Sequence, residues 1–163
     1  MFYLELFKAL EKHKVRYMLV GGLAMNLHGV PRATMDVDIV LALDPANLKA
    51  FLGMVEALKL KPVAPLKLEG LLEPAQRQQW LKEKNMLVLA LRPPDIKGPT
   101  VDVLIDPPLD IEAALKRAVK REVSAVNISL ISIEDLIRLK EKSGREQDLS
   151  DIEHLRRLLK RPV

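Results

Sequence analysis

Cysteine is absent from this chain, which excludes disulfides and thiolate metal sites and makes a reducing cytoplasm the expected setting. No apolar run approaches the ~20 residues needed to cross a bilayer. The opening segment, Met1-Phe-Tyr-Leu-Glu-Leu, has neither the basic stretch nor the cleavage site of an export signal, so no membrane partner is expected. Aromatic residues are few, three Phe, two Tyr and one Trp, which argues against a platform on which nucleic-acid bases stack. Glycine is scarce at seven residues, and together with many leucines and prolines and no cysteine this composition suits a thermophile.

What is present is apolar bulk and positive charge. With 48% hydrophobic residues in 163, the chain can bury a sizeable core as a single domain without crosslinks. Its net charge of +4 is compatible with a polyanionic partner without demanding one. The basic residues gather in two places: Lys116, Arg117, Lys120 and Arg121 on one predicted helix, and Arg156, Arg157, Lys160 and Arg161 on the last. Cations favoured at helix C-termini and on solvated faces explain such clusters; a surface facing nucleic acid is the alternative.

The order of elements follows from periodicity and punctuation. Phe2, Leu6, Ala9 and Leu10 stand at helical spacing in residues 2–13. Tyr17–Val20 reads as a short strand entering Gly21-Gly22, and Leu23–His28 as a brief helix closed by Gly29 and Pro31. Val37–Leu43 is a second strand, and Asp44-Pro45 opens a helix over Asn47–Lys59. Residues 61–72, punctuated by proline, are irregular with room for a short edge strand. A polar helix over Glu73–Lys84 precedes strands at Met86–Leu91 and Thr100–Ile105, joined by a proline-rich turn. Asp110 caps a helix that runs to about Arg121, and Val126–Leu130 adds a strand. Ser132 with Asp135 forms a capping box for a helix ending at Ser143-Gly144, and Glu146–Lys160 is the last helix. The expectation is an α/β (α+β) fold: a core over residues 1–125, with a strand and a helical hairpin over 126–163 packed upon it.

The chemistry concentrates ahead of the second strand. Gly21-Gly22 is followed, after the short helix, by Arg32-Ala-Thr34-Met-Asp36-Val-Asp38-Ile-Val-Leu41. On a strand, Asp36 and Asp38 project from one side, about 6–7 Å apart. A buried strand holds two like charges there only if a cation neutralises them, and carboxylate oxygens suit hard divalent ions such as Mg²⁺. The glycines allow the backbone to approach a phosphate closely. Asp102 interrupts a further apolar strand, where an unpaired charge costs several kcal/mol. If that strand neighbours the first, three carboxylates converge. Asp106, four residues on, is the competitor, but it precedes Pro107-Pro108 and fits a turn.

Gly-Gly, a helix, and Arg-x-Thr-x-Asp-x-Asp resemble the nucleotide-binding core of the polymerase-beta-type nucleotidyltransferase superfamily, nearest its minimal and AbiEii-like toxin-type members. The resemblance implies a mixed sheet flanked by helices. It also implies an NTP substrate, Mg²⁺ or Mn²⁺, and metal-binding catalytic carboxylates at Asp36, Asp38 and Asp102. Gly21, Gly22, Arg32 and Thr34 then fall on the nucleotide. Lys140, Gly144-Arg145 and Asp148 resemble a further motif of the AbiEii-like members, which implies that Lys140 and Arg145 touch the triphosphate while Asp148 orients one of them. The residues alone also fit a salt bridge from Lys140 or Arg145 to Asp148 that staples the last two helices. Gly21-Gly22 stands where the family often has Gly-Ser, and Gln147 where it often has Lys.

The function expected is metal-dependent transfer of a nucleoside monophosphate from an NTP to a hydroxyl. The acceptor implied by the toxin-type relatives is a tRNA or RNA end or a protein side chain, with this chain as the toxin of a toxin–antitoxin pair. An antibiotic-modifying nucleotidyltransferase is the second reading, and a non-catalytic nucleotide-binding antitoxin or regulator the third. The small size suggests that a partner protein or a homodimer completes the acceptor site.

Overall fold

The computed structural model describes residues 2–95 and 97–160; Ile96 in the proline-rich turn and Arg161 in the basic C-terminal cluster lie outside the described residues. The elements run α1 (Phe2–Lys12), β1 (Tyr17–Val20), α2 (Gly21–Leu27), β2 (Val37–Leu41), α3 (Pro45–Ala57), β3 (Lys61–Pro62), α4 (Pro74–Lys84), β4 (Val88–Arg92), β5 (Val101–Leu104), α5 (Ile111–Arg117), β6 (Val119–Val123), β7 (Val126–Leu130), α6 (Ile133–Ser143) and α7 (Glu146–Leu159). A 3-10 turn over Leu68–Leu72 precedes α4. The mixed α/β architecture and the C-terminal helical pair are those expected.

The strands form one mixed sheet of seven, in the order β3-β4-β5-β2-β1-β7-β6. The β2–β5 and β1–β7 pairs are parallel and the other neighbours antiparallel. Parallel neighbours require crossovers through other elements, whereas β4–β5 and β6–β7 are adjacent in sequence and need only a turn. The interior strand β1 is buried along its whole length, as a strand covered on both faces must be. On β5 the alternation is clear: Val101 and Val103 are buried, while Asp102 and Leu104 are half-buried. One face of that strand therefore carries core, and the other carries the carboxylate.

Helix α1 turns Leu6, Phe7 and Leu10 inward, each side chain contributing roughly 1.5–3 kcal/mol on full burial. The Phe7 ring stacks on Tyr17 with centroids 6.3 Å apart. The Tyr17 hydroxyl accepts from the Ser129 backbone N–H at 3.2 Å, linking β1 to β7. Burial raises the Tyr17 pKa to about 12. The predicted caps form: Asp44 accepts from Asn47 N at 3.1 Å, Asp110 from Ala113 N at 3.1 Å, and Ser132 from Asp135 N at 3.1 Å. Gly144 closes α6 at φ +65°.

One expected helix ends early. The segment predicted helical to about Arg121 turns extended at Ala118, and Val119–Val123 is a strand hairpinned to β7. Ser124 and Ala125, with φ of +50° and +65°, make the tight turn that hairpins of this hand use. Lys120 and Arg121 therefore lie on an exposed edge strand, while Lys116 and Arg117 close α5. The charges at 116, 117, 120 and 121 have helical spacing, but pairing with β7 decides the conformation.

Candidate active site

Val20, Asp38 and Asp102 form a row across three adjacent strands. Val20 of β1 pairs with Asp38 of β2, and Asp38 pairs with Asp102 of β5. Side chains directly opposite one another in a sheet share a face, so the two carboxyls stand side by side. Of the two candidates for the third carboxylate, Asp102 occupies this row; Asp106 is exposed beyond the end of β5.

Directly after Val20, the backbone of Gly21 turns against Asp38. Its φ is +73°, and a Cβ built there would fall 2.1 Å from Asp38 Oδ2. Gly22 similarly faces Thr34, whose Cβ and Oγ1 would lie 2.9 Å from an added Cβ. The two glycines thus allow the loop before β2 and its first carboxylates to close on the start of α2. The Arg32 N–H donates to Asn26 Oδ1 at 2.7 Å, and Thr34 Oγ1 donates to the Asp36 carbonyl at 3.4 Å.

Asp36 lies one residue before β2 and is exposed. Its Oδ1 accepts from the Thr100 N–H at 3.3 Å. Asp102 Oδ1 accepts from the Thr100 hydroxyl at 3.0 Å. Burial raises the Asp38 carboxyl to about 6, the charges of Asp102 and Asp36 and a hydrogen bond with the Asp102 carboxyl push the same way, and Lys140 opposes. Asp102 is also raised, chiefly by burial and with help from Asp36, while hydrogen bonds from Thr100 and with Asp38 hold it down. Like charges held together in a half-buried row have this effect. A hard divalent cation would relieve it, and the all-oxygen donor set suits one. As the side chains stand, Asp36 is turned to Thr100, and among the described residues no group of three or more His, Asp or Glu side chains is set to hold a metal ion.

A second cluster of charge sits on the C-terminal helices. Lys140, buried on α6, donates to Asp151 Oδ2 at 2.9 Å and lies 3.6 Å from Asp148 Oδ1. The Arg32 guanidinium pairs with the same Asp151 oxygen, so one carboxylate of α7 ties α6 to the loop before β2. Arg145 Nε donates to Asp148 Oδ2 at 2.9 Å while the Arg145 side chain stays 74% exposed and so open to a ligand. Burial acts to raise the Asp148 pKa, but hydrogen bonds from Arg145 and Ser143 and the nearby cations leave it lowered. Lys140 thus pairs with both acids of α7, and Asp151 is its nearer partner.

Two residues of these clusters escape a reading of the sequence. Asp151 stands three residues after Asp148, a spacing that puts both on one helix face. Thr100 stands two residues before Asp102, on the same strand face. His28 is structural: its Nε2 bonds the Ile131 carbonyl at 2.7 Å, and burial lowers its pKa.

Residues 101–162 match the model of a family described as "Nucleotidyl transferase of unknown function (DUF2204)", a span that includes Asp102, Lys140, Arg145 and Asp148. No curated protein matches the chain. Among solved structures, the lincomycin-bound lincosamide antibiotic adenylyltransferase LnuA superposes with a TM-score of 0.59 at 17% identity, over 96% of this chain and 94% of that one. The fold is that of the nucleotidyltransferases. An antigenic nucleotidyltransferase-like protein from Paracoccidioides brasiliensis has the same fold, with a TM-score of 0.57 at 19% identity over 93% of this chain and 72% of that one. So does the antibiotic-resistance factor ANT(2'')-Ia, with a TM-score of 0.55 at 12% identity over 94% and 77%. These nucleotidyltransferase folds are matched across nearly the whole of this chain. Among the described residues, no helix is long and apolar enough to cross a membrane.

Proposed function

We propose that this protein transfers a nucleoside monophosphate from an NTP to a hydroxyl acceptor, with pyrophosphate as the leaving group, using Asp36, Asp38 and Asp102 to bind Mg²⁺ or Mn²⁺. The observation that carries the reading is the row of Asp38 and Asp102 on adjacent parallel strands, with the Gly21 backbone pressed against Asp38. A bound divalent cation would supply charge neutralisation of the triphosphate and acidify the acceptor hydroxyl. Asp36 and Asp38 would hold it from the start of β2 together with Asp102 from β5, and Asp102 would take the acceptor's proton. Gly21 and Gly22 leave room for the backbone to approach phosphate, with Thr34 beside Gly22. Arg32, Lys140 and Arg145 supply positive charge to the triphosphate, and Asp148 and Asp151 hold those cations in place.

The acceptor in this reading is an RNA end, such as that of tRNA, or a protein side chain, and the chain acts in the cytoplasm as the toxin of a toxin–antitoxin pair. The exposed basic residues Lys116, Lys120 and Arg121 favour RNA. A second reading is nucleotidylation of an antibiotic, favoured by the similarity to LnuA and ANT(2'')-Ia over most of their length. The test is transfer of label from each α-³²P-NTP, with Mg²⁺ or Mn²⁺, offered total RNA, total protein, or a lincosamide and an aminoglycoside. Label on RNA or protein only with intact Asp36 and Asp38 supports the first reading. Label on the small molecules supports the second. Equal labelling by the Asp36→Ala/Asp38→Ala protein would sink both.

A further inference from the structure

We infer that Thr100 is a positioning residue for the carboxylate cluster, its hydroxyl setting Asp102 for a divalent cation. This rests on the reading of those carboxylates as a metal site and names the group that orients them. All of Thr100's polar groups are directed at the segments that carry the carboxylates. Its hydroxyl donates to Asp102 Oδ1 at 3.0 Å and its N–H to Asp36 Oδ1 at 3.3 Å. Its carbonyl accepts from the N–H of Val37, the residue between Asp36 and Asp38, at 2.9 Å. Two of these bonds join the start of β2 to the segment leading into β5, and the third holds the Asp102 carboxyl from its own strand.

The geometry gives these bonds a purpose beyond closing the sheet. The carbonyl bond continues the β2–β5 pairing that begins at Val37 and Val101, and any residue could make it. The hydroxyl bond is different, because it needs Ser or Thr and ends on a carboxylate that has two oxygens. Occupying Oδ1 fixes the rotation of the Asp102 carboxyl and leaves its other oxygen to the cluster. Oxygen ligands of metals are commonly held this way, and losing such a partner costs roughly 10–100-fold in metal affinity.

The test is titration with Mn²⁺ alone, reading free Mn²⁺ by its EPR signal, for the wild type, Thr100→Val, Thr100→Ser and Asp38→Ala. Thr100→Val keeps the shape and the backbone bonds but removes the hydroxyl; Thr100→Ala repeats the deletion should valine disturb the strand. The expected result is Mn²⁺ affinity about tenfold weaker in Thr100→Val and Thr100→Ala, and within about twofold of wild type in Thr100→Ser, whose hydroxyl restores the bond. Wild-type affinity in both hydroxyl-free variants, with Asp38→Ala impaired, overturns the role of Thr100 and leaves the metal site standing. Wild-type protein binding no better than Asp38→Ala overturns the metal site and the role of Thr100 with it.

Discussion

Gly21 and Asp38 are in contact through backbone and carboxyl: a Cβ on Gly21 would lie 2.1 Å from Asp38 Oδ2, and Gly21 already holds a left-handed φ of +73°. Both facts forbid a side chain there. Gly21→Ala is expected to cost about 1–3 kcal/mol in stability from strain alone and to abolish nucleotidyl transfer by displacing Asp38. The control is Gly53→Ala, within α3, where the nearest heavy atom is 3.9 Å from the new Cβ. That change is expected to stabilise by about 0.5–1 kcal/mol and to leave activity intact. Urea unfolding and transfer assays on the two proteins measure the contrast.

The raised Asp38 carboxyl has a signed effect on stability. Burial and its acidic neighbours lift it from 3.8 to about 6 in the fold, so the native state holds this proton more tightly than the unfolded chain. Its contribution is fully present below about 3.8 and is lost as pH rises through about 6. The amplitude is at most about 3 kcal/mol, less after solvent screening. Burial lowers the His28 pKa, which works in the opposite sense over part of the same range, so the comparison must be between proteins. The metal-free wild type is expected to lose stability relative to Asp38→Asn between pH 4 and pH 7, as followed by urea unfolding in the presence of a chelator. A constant difference across that range would contradict the assignment.

Asp151 accepts from both Lys140 and Arg32. Removing it leaves Asp148, 3.6 Å away, as the remaining salt-bridge partner of a buried ammonium among the described residues. Asp151→Ala is expected to destabilise by about 3–5 kcal/mol, as breaking one side of a buried pair does. Lys140→Met/Asp151→Leu, which removes both charges, is expected to recover much of that loss in unfolding experiments while remaining inactive, because Lys140 is gone.

The basic residues of α5 and β6 separate the two acceptor classes. Lys116→Glu/Lys120→Glu, placed away from the carboxylates, is expected to weaken RNA labelling at least several-fold and to make it less salt-dependent, since fewer counterions are released. Labelling of a small-molecule acceptor by the same protein is expected to stay unchanged. Equal RNA labelling by the wild type and this variant would remove these residues from any RNA-binding surface.

The parts of the molecule legible from sequence are those that local chemistry decides. Asp44, Asp110 and Ser132 cap their helices because a short oxygen-bearing side chain can reach the N–H three residues on. Gly144 ends α6 because its left-handed backbone suits glycine. The apolar strand around Asp102 discloses a half-buried charge, since alternation along a strand is a property of a few residues, whereas Asp36 of the Asp-x-Asp motif stays exposed ahead of β2. Strand β6 is the counterexample. Its Val-Lys-Arg-Glu-Val sequence follows a capped helix with charges at helical spacing, and only pairing with β7 makes it extended.

Distances between segments belong to the tertiary structure. That Asp38 faces Asp102 depends on β5 lying parallel beside β2, and that Lys140 finds Asp151 nearer than Asp148 depends on how α6 crosses α7. Arg32 meets α7 across a separation of 119 residues. Thr100 reaches Asp36 across a separation of 64. By itself the sequence determined the kinds of residue available for the chemistry and most of the local elements that carry them. Which of those residues meet was decided only by the fold, because a contact between distant segments depends on strand order and helix packing that no short window of sequence contains.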